Sequence, residues 1–135
     1  MAENVERIGA AWREWDRGNR EALFDLLAPD GELHPPSDRV TTGPPIYCGR
    51  QGWREYANQL DEMLSGLTYE IEGWVEAPGG SIVVDMIIRG TGIASEAPFE
   101  QRAAHLYEMR GDGRIARMRI FMDRAEARQA AGLSE

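Results

Sequence analysis

Few side chains in this sequence can handle a proton near neutral pH. Its two histidines, His34 and His105, have the imidazole ring that both donates and accepts in that range. His105 lies in the alternating run Gln101, Ala103, His105, Tyr107, and a second run, Met118, Ile120, Met122, follows across the turn Gly111-Asp112-Gly113. Period-two alternation puts each set on one face of a strand, and the two glycines suit a tight antiparallel hairpin. That face, mostly apolar with one histidine in its middle, is expected to be the back wall of a small-molecule pocket. Asp85 is the only charge in the run Ile82 to Ile88, where an unpaired buried carboxylate would be costly. His105 and Asp85 are therefore the candidate acid–base pair. Tyr47 and Tyr56 can offer hydroxyls, and Trp53, His34, Tyr107, Met118, Ile120 and Met122 complete the candidate binding set.

Each assignment has a structural alternative. His105 can be a neutral histidine satisfied by a neighbour in a sheet core. Asp85 can pair with Arg102 or Arg119 on the outer sheet face, because one residue of register moves it from one side to the other. His34, ahead of Pro35 and Pro36, can be a surface histidine. The tryptophans, Tyr56 and Phe121 are most simply packing residues.

Other chemistries lack their patterns. No G-x-S-x-G, P-loop or G-x-G-x-x-G motif occurs, and Gly90-Thr91-Gly92 lacks the third glycine and a strand-to-helix context. The two histidines and scattered carboxylates have no metal-ligand spacing, so neither a metal nor another cofactor is expected. A net charge of −8, from 23 acidic and 15 basic residues, repels phosphate backbones and anionic lipid, so neither nucleic acid nor membrane is an expected partner. Cys48 is the single cysteine, which precludes an internal disulfide and suits a reducing compartment. With no secretory pattern in the first residues and no apolar stretch near the ~18 residues of a membrane span, a cytoplasmic protein is expected.

The positioning elements follow from periodicity. Val5, Ile8, Ala11, Trp12 and Trp15 form one helical stripe over Asn4 to Asp16, stopped at Gly18-Asn19. A second helix is predicted over Arg20 to Leu27, ended by the turn Ala28-Pro29-Asp30-Gly31. A short strand, Glu32 to His34, precedes a Pro/Gly/Ser/Thr-rich loop, Pro35 to Pro45, which reads as a lid or a flap. A third helix follows over Gln51 to Leu64, with Trp53, Tyr56, Ala57 and Leu60 on one side. Four strands in meander and a short helix, Asp123 to Ala131, complete the chain. Helices ahead of an antiparallel sheet indicate an α+β domain with the helices on one sheet face, occupying residues 1–135 as a single domain. The run Ile82 to Ile88, apolar on both faces, predicts a central strand covered on both sides.

This element order, the Tyr47-Cys48-Gly49-Arg50 entry to the third helix, the Gly111-Asp112-Gly113-Arg114-Ile115 hairpin and the tail from Asp123 to Leu133 resemble the nuclear transport factor 2-like superfamily, in particular its SnoaL-like branch of polyketide cyclase and ketosteroid isomerase relatives. The resemblance implies a cone-shaped, strongly curved sheet packed on the N-terminal helices, and a homodimer through the outer sheet face around Glu100, Arg102, Leu106, Glu108, Arg117, Arg119 and Phe121. It implies little shared chemistry. Where ketosteroid isomerases keep a general-base aspartate this chain has His34-Pro35-Pro36, their first-helix tyrosine is Ala11, and their oxyanion-donating aspartic acid is His105. Of the limonene-epoxide hydrolase set only Asp85 matches, Val83 and Ile120 standing at the other two positions. SnoaL-like cyclases are similar in using a histidine and an aspartate, here His105 and Asp85.

Two functions follow as expectations. One is a cofactor-independent isomerase, cyclase, dehydratase or hydrolase acting on a small hydrophobic substrate through His105 and Asp85. The alternative is a non-catalytic binding module for a hydrophobic ligand. An Asp85 that points to the outer face would favour the second.

Overall fold

Burial of the stripe Ile8, Ala11, Trp12 and Trp15 organises the first helix, α1 (Ala2–Asp16), in a computed structural model that describes residues 2–36 and 45–133. Each such large side chain contributes about 1.5–3 kcal/mol on burial, which sets how the helix rolls against its partners. The chain leaves α1 through Gly18 at φ +98°, with the amides of Gly18 and Asn19 donating to the carbonyls of Trp15 and Glu14. Helix α2 (Glu21–Leu26) buries Leu23 and Phe24. Helix α3 (Gly49–Met63) buries Gly52, Trp53, Tyr56 and Ala57. Its start requires two glycines, since Gly49 has φ +70° and a Cβ on Gly52 would lie 2.9 Å from the Tyr47 carbonyl carbon.

Six strands form one open sheet: β1 (Leu27–His34), β2 (Tyr47–Cys48), β3 (Leu64–Glu76), β4 (Ile82–Gly92), β5 (Pro98–Met109) and β6 (Ile115–Phe121), in the order β2-β1-β6-β5-β4-β3. The expected meander is β3 to β6. β4 carries Ile82, Val84, Met86 and Ile88 on one face and Val83 and Ile87 on the other, all buried. A short helix, α4 (Arg124–Ala130), follows, its first turn capped by the Asp123 carboxylate, which accepts from the Ala125 amide at 2.8 Å.

Two expectations, the turn at Ala28–Gly31 and a wholly antiparallel sheet, are corrected. The residues Ala28 to Gly31 are not a turn but part of β1, whose pairing is irregular between Leu27 and Glu32. β1 runs parallel to β6, with Leu33 opposite Met118, a long-range pairing that no local pattern announces. The face taken by α4, which the sequence leaves open, is the outer one, opposite α1, α2 and α3: Ala127 packs there with Val83, Ala104 and Leu106. Leu106, the aliphatic centre of the expected dimer surface, is thereby covered by the chain's own last helix. Trp74, read as a core or interface residue, is 48% exposed in the single chain and so is no part of its core. The middle of the Pro35–Pro45 loop, residues 37–44, lies outside the described residues, so the lid or flap assignment falls there.

Candidate functional site

The inner sheet face and the three N-terminal helices enclose a cavity of about 240 Å³. Its walls come from α1 (Trp12, Trp15), α2 (Leu23, Phe24), α3 (Trp53, Tyr56, Ala57, Leu60), the start of β3 (Leu64, Leu67, Tyr69) and the inward residues of the other long strands, with Leu33 and Pro36 at one end. Of the sequence-predicted residues, His105, Trp53, Tyr56, Met118, Ile120 and Met122 all line it. Asp, Glu, Lys and Arg are absent from the described lining residues.

The cross-strand register decides which polar groups reach this space. His105 stands opposite Val84 on β4 and Ile120 on β6, so all three share the inner face. Asp85 stands opposite Ala104 and points outward. There it accepts from both terminal nitrogens of Arg128 on α4, at 3.1 and 2.8 Å, with Arg124 Nε 3.9 Å away. The candidate acid–base pair is thus divided by the sheet. Asp85 is ion-paired on the outer face, as its structural alternative held, but with Arg128 rather than Arg102 or Arg119. The physical reason is α4, which brings an arginine over β4 that the strand pattern does not contain.

His105 is 1% exposed and ringed by aromatics, its centroid 5.4 Å from that of Trp12, 5.8 Å from Tyr107 and 6.4 Å from Tyr69. Burial without a facing carboxylate disfavours the imidazolium and lowers the pKa from 6.5 to about 3. At neutral pH the ring is uncharged. Its Nδ1 lies 3.0 Å from the Tyr107 hydroxyl, which accepts a 2.7 Å hydrogen bond from Trp12 Nε1–H. Tyr107 therefore does not line the cavity as expected; it sits behind His105, fully buried, with its own pKa raised by desolvation.

Two other candidates also lie elsewhere. Tyr47 is buried beside the cavity, its ring edge-on to Tyr56 at 5.2 Å and its hydroxyl donating to Gln59 Oε1 at 2.6 Å. His34 is on the outward side of β1, with Nε2 2.9 Å from Glu32 Oε1. It lines a groove with Arg119, Asp123 and Glu126 that adjoins the cavity through Ile120 and Met122. Cys48 is exposed.

Sequence reasoning passed over Trp12, Trp15 and Tyr69 as site residues, while alternation had already put Gln101, which lines the cavity, on the wall with His105. The available signal was in α1, where two tryptophans three residues apart face the core and a buried indole N–H needs an acceptor. Trp12 has one in Tyr107, whereas Trp15 Nε1 and Trp53 Nε1 are buried without a hydrogen-bond partner among the described residues. No group of three or more His, Cys, Asp or Glu suited to a metal ion occurs among the described residues.

Comparison with known proteins bears on the same region. The SnoaL-like domain profile matches residues 8–118, most of the chain. No curated protein matches the sequence. Among solved structures, TerC crystallised with polyporic acid superposes with a TM-score of 0.79 at 21% identity, over 96% of this chain and 98% of that one. SalBIII, an epoxide hydrolase/cyclase-like enzyme of pyran ring formation in polyether salinomycin, gives 0.72 at 20% identity over 89% and 90%. RV0760c from Mycobacterium tuberculosis, in complex with estradiol-17beta-hemisuccinate, gives 0.73 at 18% identity over 87% and 91%. At these identities the likeness is one of fold.

Proposed function

The chain belongs to the SnoaL-like domain family, and from that premise and the chemistry of the cavity we propose that it binds a small, neutral, largely apolar molecule between α1–α3 and the inner sheet face. The observation that carries this reading is the lining, whose described residues include no charged side chain. An ion entering it would give up hydration with no counter-charge in return, whereas an apolar molecule gains roughly 25 cal/mol for each Å² removed from water. Size narrows the class. A cavity of about 150 Å³ holds benzene, so 240 Å³ suits a fused two-ring molecule. Small-molecule complexes of TerC and RV0760c support a ligand-holding role for this fold.

Binding, rather than turnover, is the favoured reading. With a pKa near 3, His105 is a weak proton acceptor at pH 7, and Asp85 is engaged with Arg128 on the far side of the sheet. A second reading, a cofactor-independent isomerase, cyclase, dehydratase or hydrolase, draws support from the groove beside the cavity. Its titratable residues include His34, Asp123 and Glu126, one of which would supply the base. A homodimer is proposed through the part of the outer face that α4 leaves open, around Glu100 and Arg102; sedimentation velocity decides it. The lone thiol supports a cytoplasmic location, and no helix among the described residues is long and apolar enough to cross a membrane.

Isothermal titration tests the main reading with 1-tetralone as a neutral two-ring probe and 1-naphthoate as an anionic one. The tetralone is expected to bind at least tenfold more tightly, and Ala57→Phe, which fills the cavity from α3, to abolish that binding while the protein stays folded. Equal affinity for the anion, or binding unaffected by Ala57→Phe, would overturn it.

A further inference from the structure

We propose that Trp12 and Tyr107 are positioning residues that lock His105 as its neutral Nε2–H tautomer, so that the cavity selects a ligand bearing a carbonyl-type oxygen over the matching alcohol. The proposal rests on the ligand-cavity reading above and adds to it the chemistry of the ligand's polar end.

Indole nitrogen only donates, so the 2.7 Å contact between Trp12 Nε1 and the Tyr107 hydroxyl fixes the hydroxyl oxygen as acceptor. The phenol's single proton must then go elsewhere, and burial makes leaving it unpaired costly. The acceptor in reach is Nδ1 of His105, at 3.0 Å. Imidazole has two nitrogens and, when neutral, one proton. With Nδ1 accepting, that proton is on Nε2. Desolvation of the ring acts in the same direction, because it keeps His105 uncharged through the physiological range. The chain Trp12 to Tyr107 to His105 thus runs in one direction, each hydrogen bond donated toward the cavity wall.

A fixed N–H has a consequence for specificity. A ketone oxygen placed at Nε2 accepts and has nothing left to satisfy. An alcohol oxygen at the same place also accepts, but its own proton needs an acceptor in an apolar surround. The lining hydroxyls, those of Tyr56 and Tyr69, belong to the α3 and β3 walls, and the lining amide on β5, Gln101, is four residues along the strand, about 13 Å by strand rise. A buried unpaired hydroxyl is worth about a factor of ten in affinity.

The test combines a spectroscopic and a binding readout on the full chain. In ¹⁵N-labelled protein without added ligand, the His105 ring is expected to show a protonated, pyrrole-type Nε2 and an unprotonated Nδ1. In Tyr107→Phe, which keeps the ring and removes the hydroxyl, the tautomer signals are expected to shift toward a mixture. Trp12→Phe serves as the second variant: it removes the indole N–H donor, keeps the Tyr107 hydroxyl beside His105 Nδ1, and is expected to shift the tautomer signals in the same direction. In titrations, 1-tetralone is expected to bind wild type about tenfold more tightly than 1-tetralol, and the ratio to fall to within twofold in Tyr107→Phe. A protonated Nδ1 in the wild type, or an unchanged tetralone-to-tetralol ratio in Tyr107→Phe, would overturn the proposal. Should neither probe bind while the Nε2–H signature is present and Tyr107-dependent, the ligand reading fails and the positioning role stands.

Discussion

Asp85 and His105 belong to the same pair of antiparallel strands, yet Val84 and not Asp85 is the cross-strand partner of His105, so the carboxylate and the imidazole lie on opposite faces of the sheet. Between them is the thickness of a β-sheet, across which no proton passes directly. Each group has a separate partner: Arg128 for Asp85, Tyr107 for His105.

Asp85→Asn should therefore act on stability and leave ligand binding alone. The side chains of the pair are 17% and 26% exposed, and two hydrogen bonds join them, so loss of the charge is expected to cost about 1–3 kcal/mol. Urea unfolding gives that difference, and titration with 1-tetralone should give a dissociation constant within twofold of wild type. A tenfold loss of affinity at unchanged stability would return Asp85 to the cavity chemistry.

His105 should make the fold sensitive to mild acid. Its folded pKa, about 3, is below the unfolded value of 6.5, so the unfolded chain binds the proton more readily between those limits. The associated stability is fully present above pH 6.5 and is lost as pH falls toward 3. Between pH 7.5 and pH 5 the loss is about 2 kcal/mol from this group. Denaturant melts at the two pH values should show wild type losing about that much more than His105→Gln, in which the other titrating groups are retained.

The three buried tryptophans should respond unequally to loss of their indole nitrogen. Trp12→Phe and Trp53→Phe remove similar ring volume, but only Trp12 donates a hydrogen bond, whereas the Trp53 N–H has no partner among the described residues. Trp12→Phe is expected to be more destabilising by about 1 kcal/mol, measured by urea unfolding. Equal costs would mean that the bond to Tyr107 contributes nothing net.

Arg124 ties α4 to the sheet. Its guanidinium donates to the carbonyls of Met86 at 2.8 Å and Ala103 at 3.2 Å and pairs with Glu72 at 2.7 Å. The Met86 carbonyl lies where the β3–β4 pairing shifts register between Ile71 and Gly73, and Ala103 lies beyond the last β6 pair. Arg124→Ala leaves both acceptors without that donor and should cost about 2–3 kcal/mol. Hydrogen exchange should quicken first in α4, since Ala127 is its anchor over Val83 and Leu106.

Much of this could be read from the chain because the signals were local. The stripe Ile8, Trp12, Trp15 placed α1, the Gly111-Asp112-Gly113 turn placed the β5–β6 hairpin, and alternation put His105, Met118 and Ile120 on one face. What was illegible depended on distant pairing. The parallel contact of β1 with β6 joins residues some 85 apart, and it turned a predicted turn at Pro29 into strand. Arg128 meets Asp85 only once α4 has folded back over the outer face, so the aspartate's side of the sheet was open from sequence. Tyr107 shares the face of His105 by alternation, yet its position behind the ring depends on Trp12, 95 residues earlier.

The most direct test of the account is a crystal structure of the protein with 1-tetralone. The bicyclic ring is expected in the cavity between Trp53, Met118 and Trp15, with its oxygen within hydrogen-bond distance of His105 Nε2. A tetralone bound in the groove beside His34, or one inside the cavity with its oxygen turned away from His105, would contradict it.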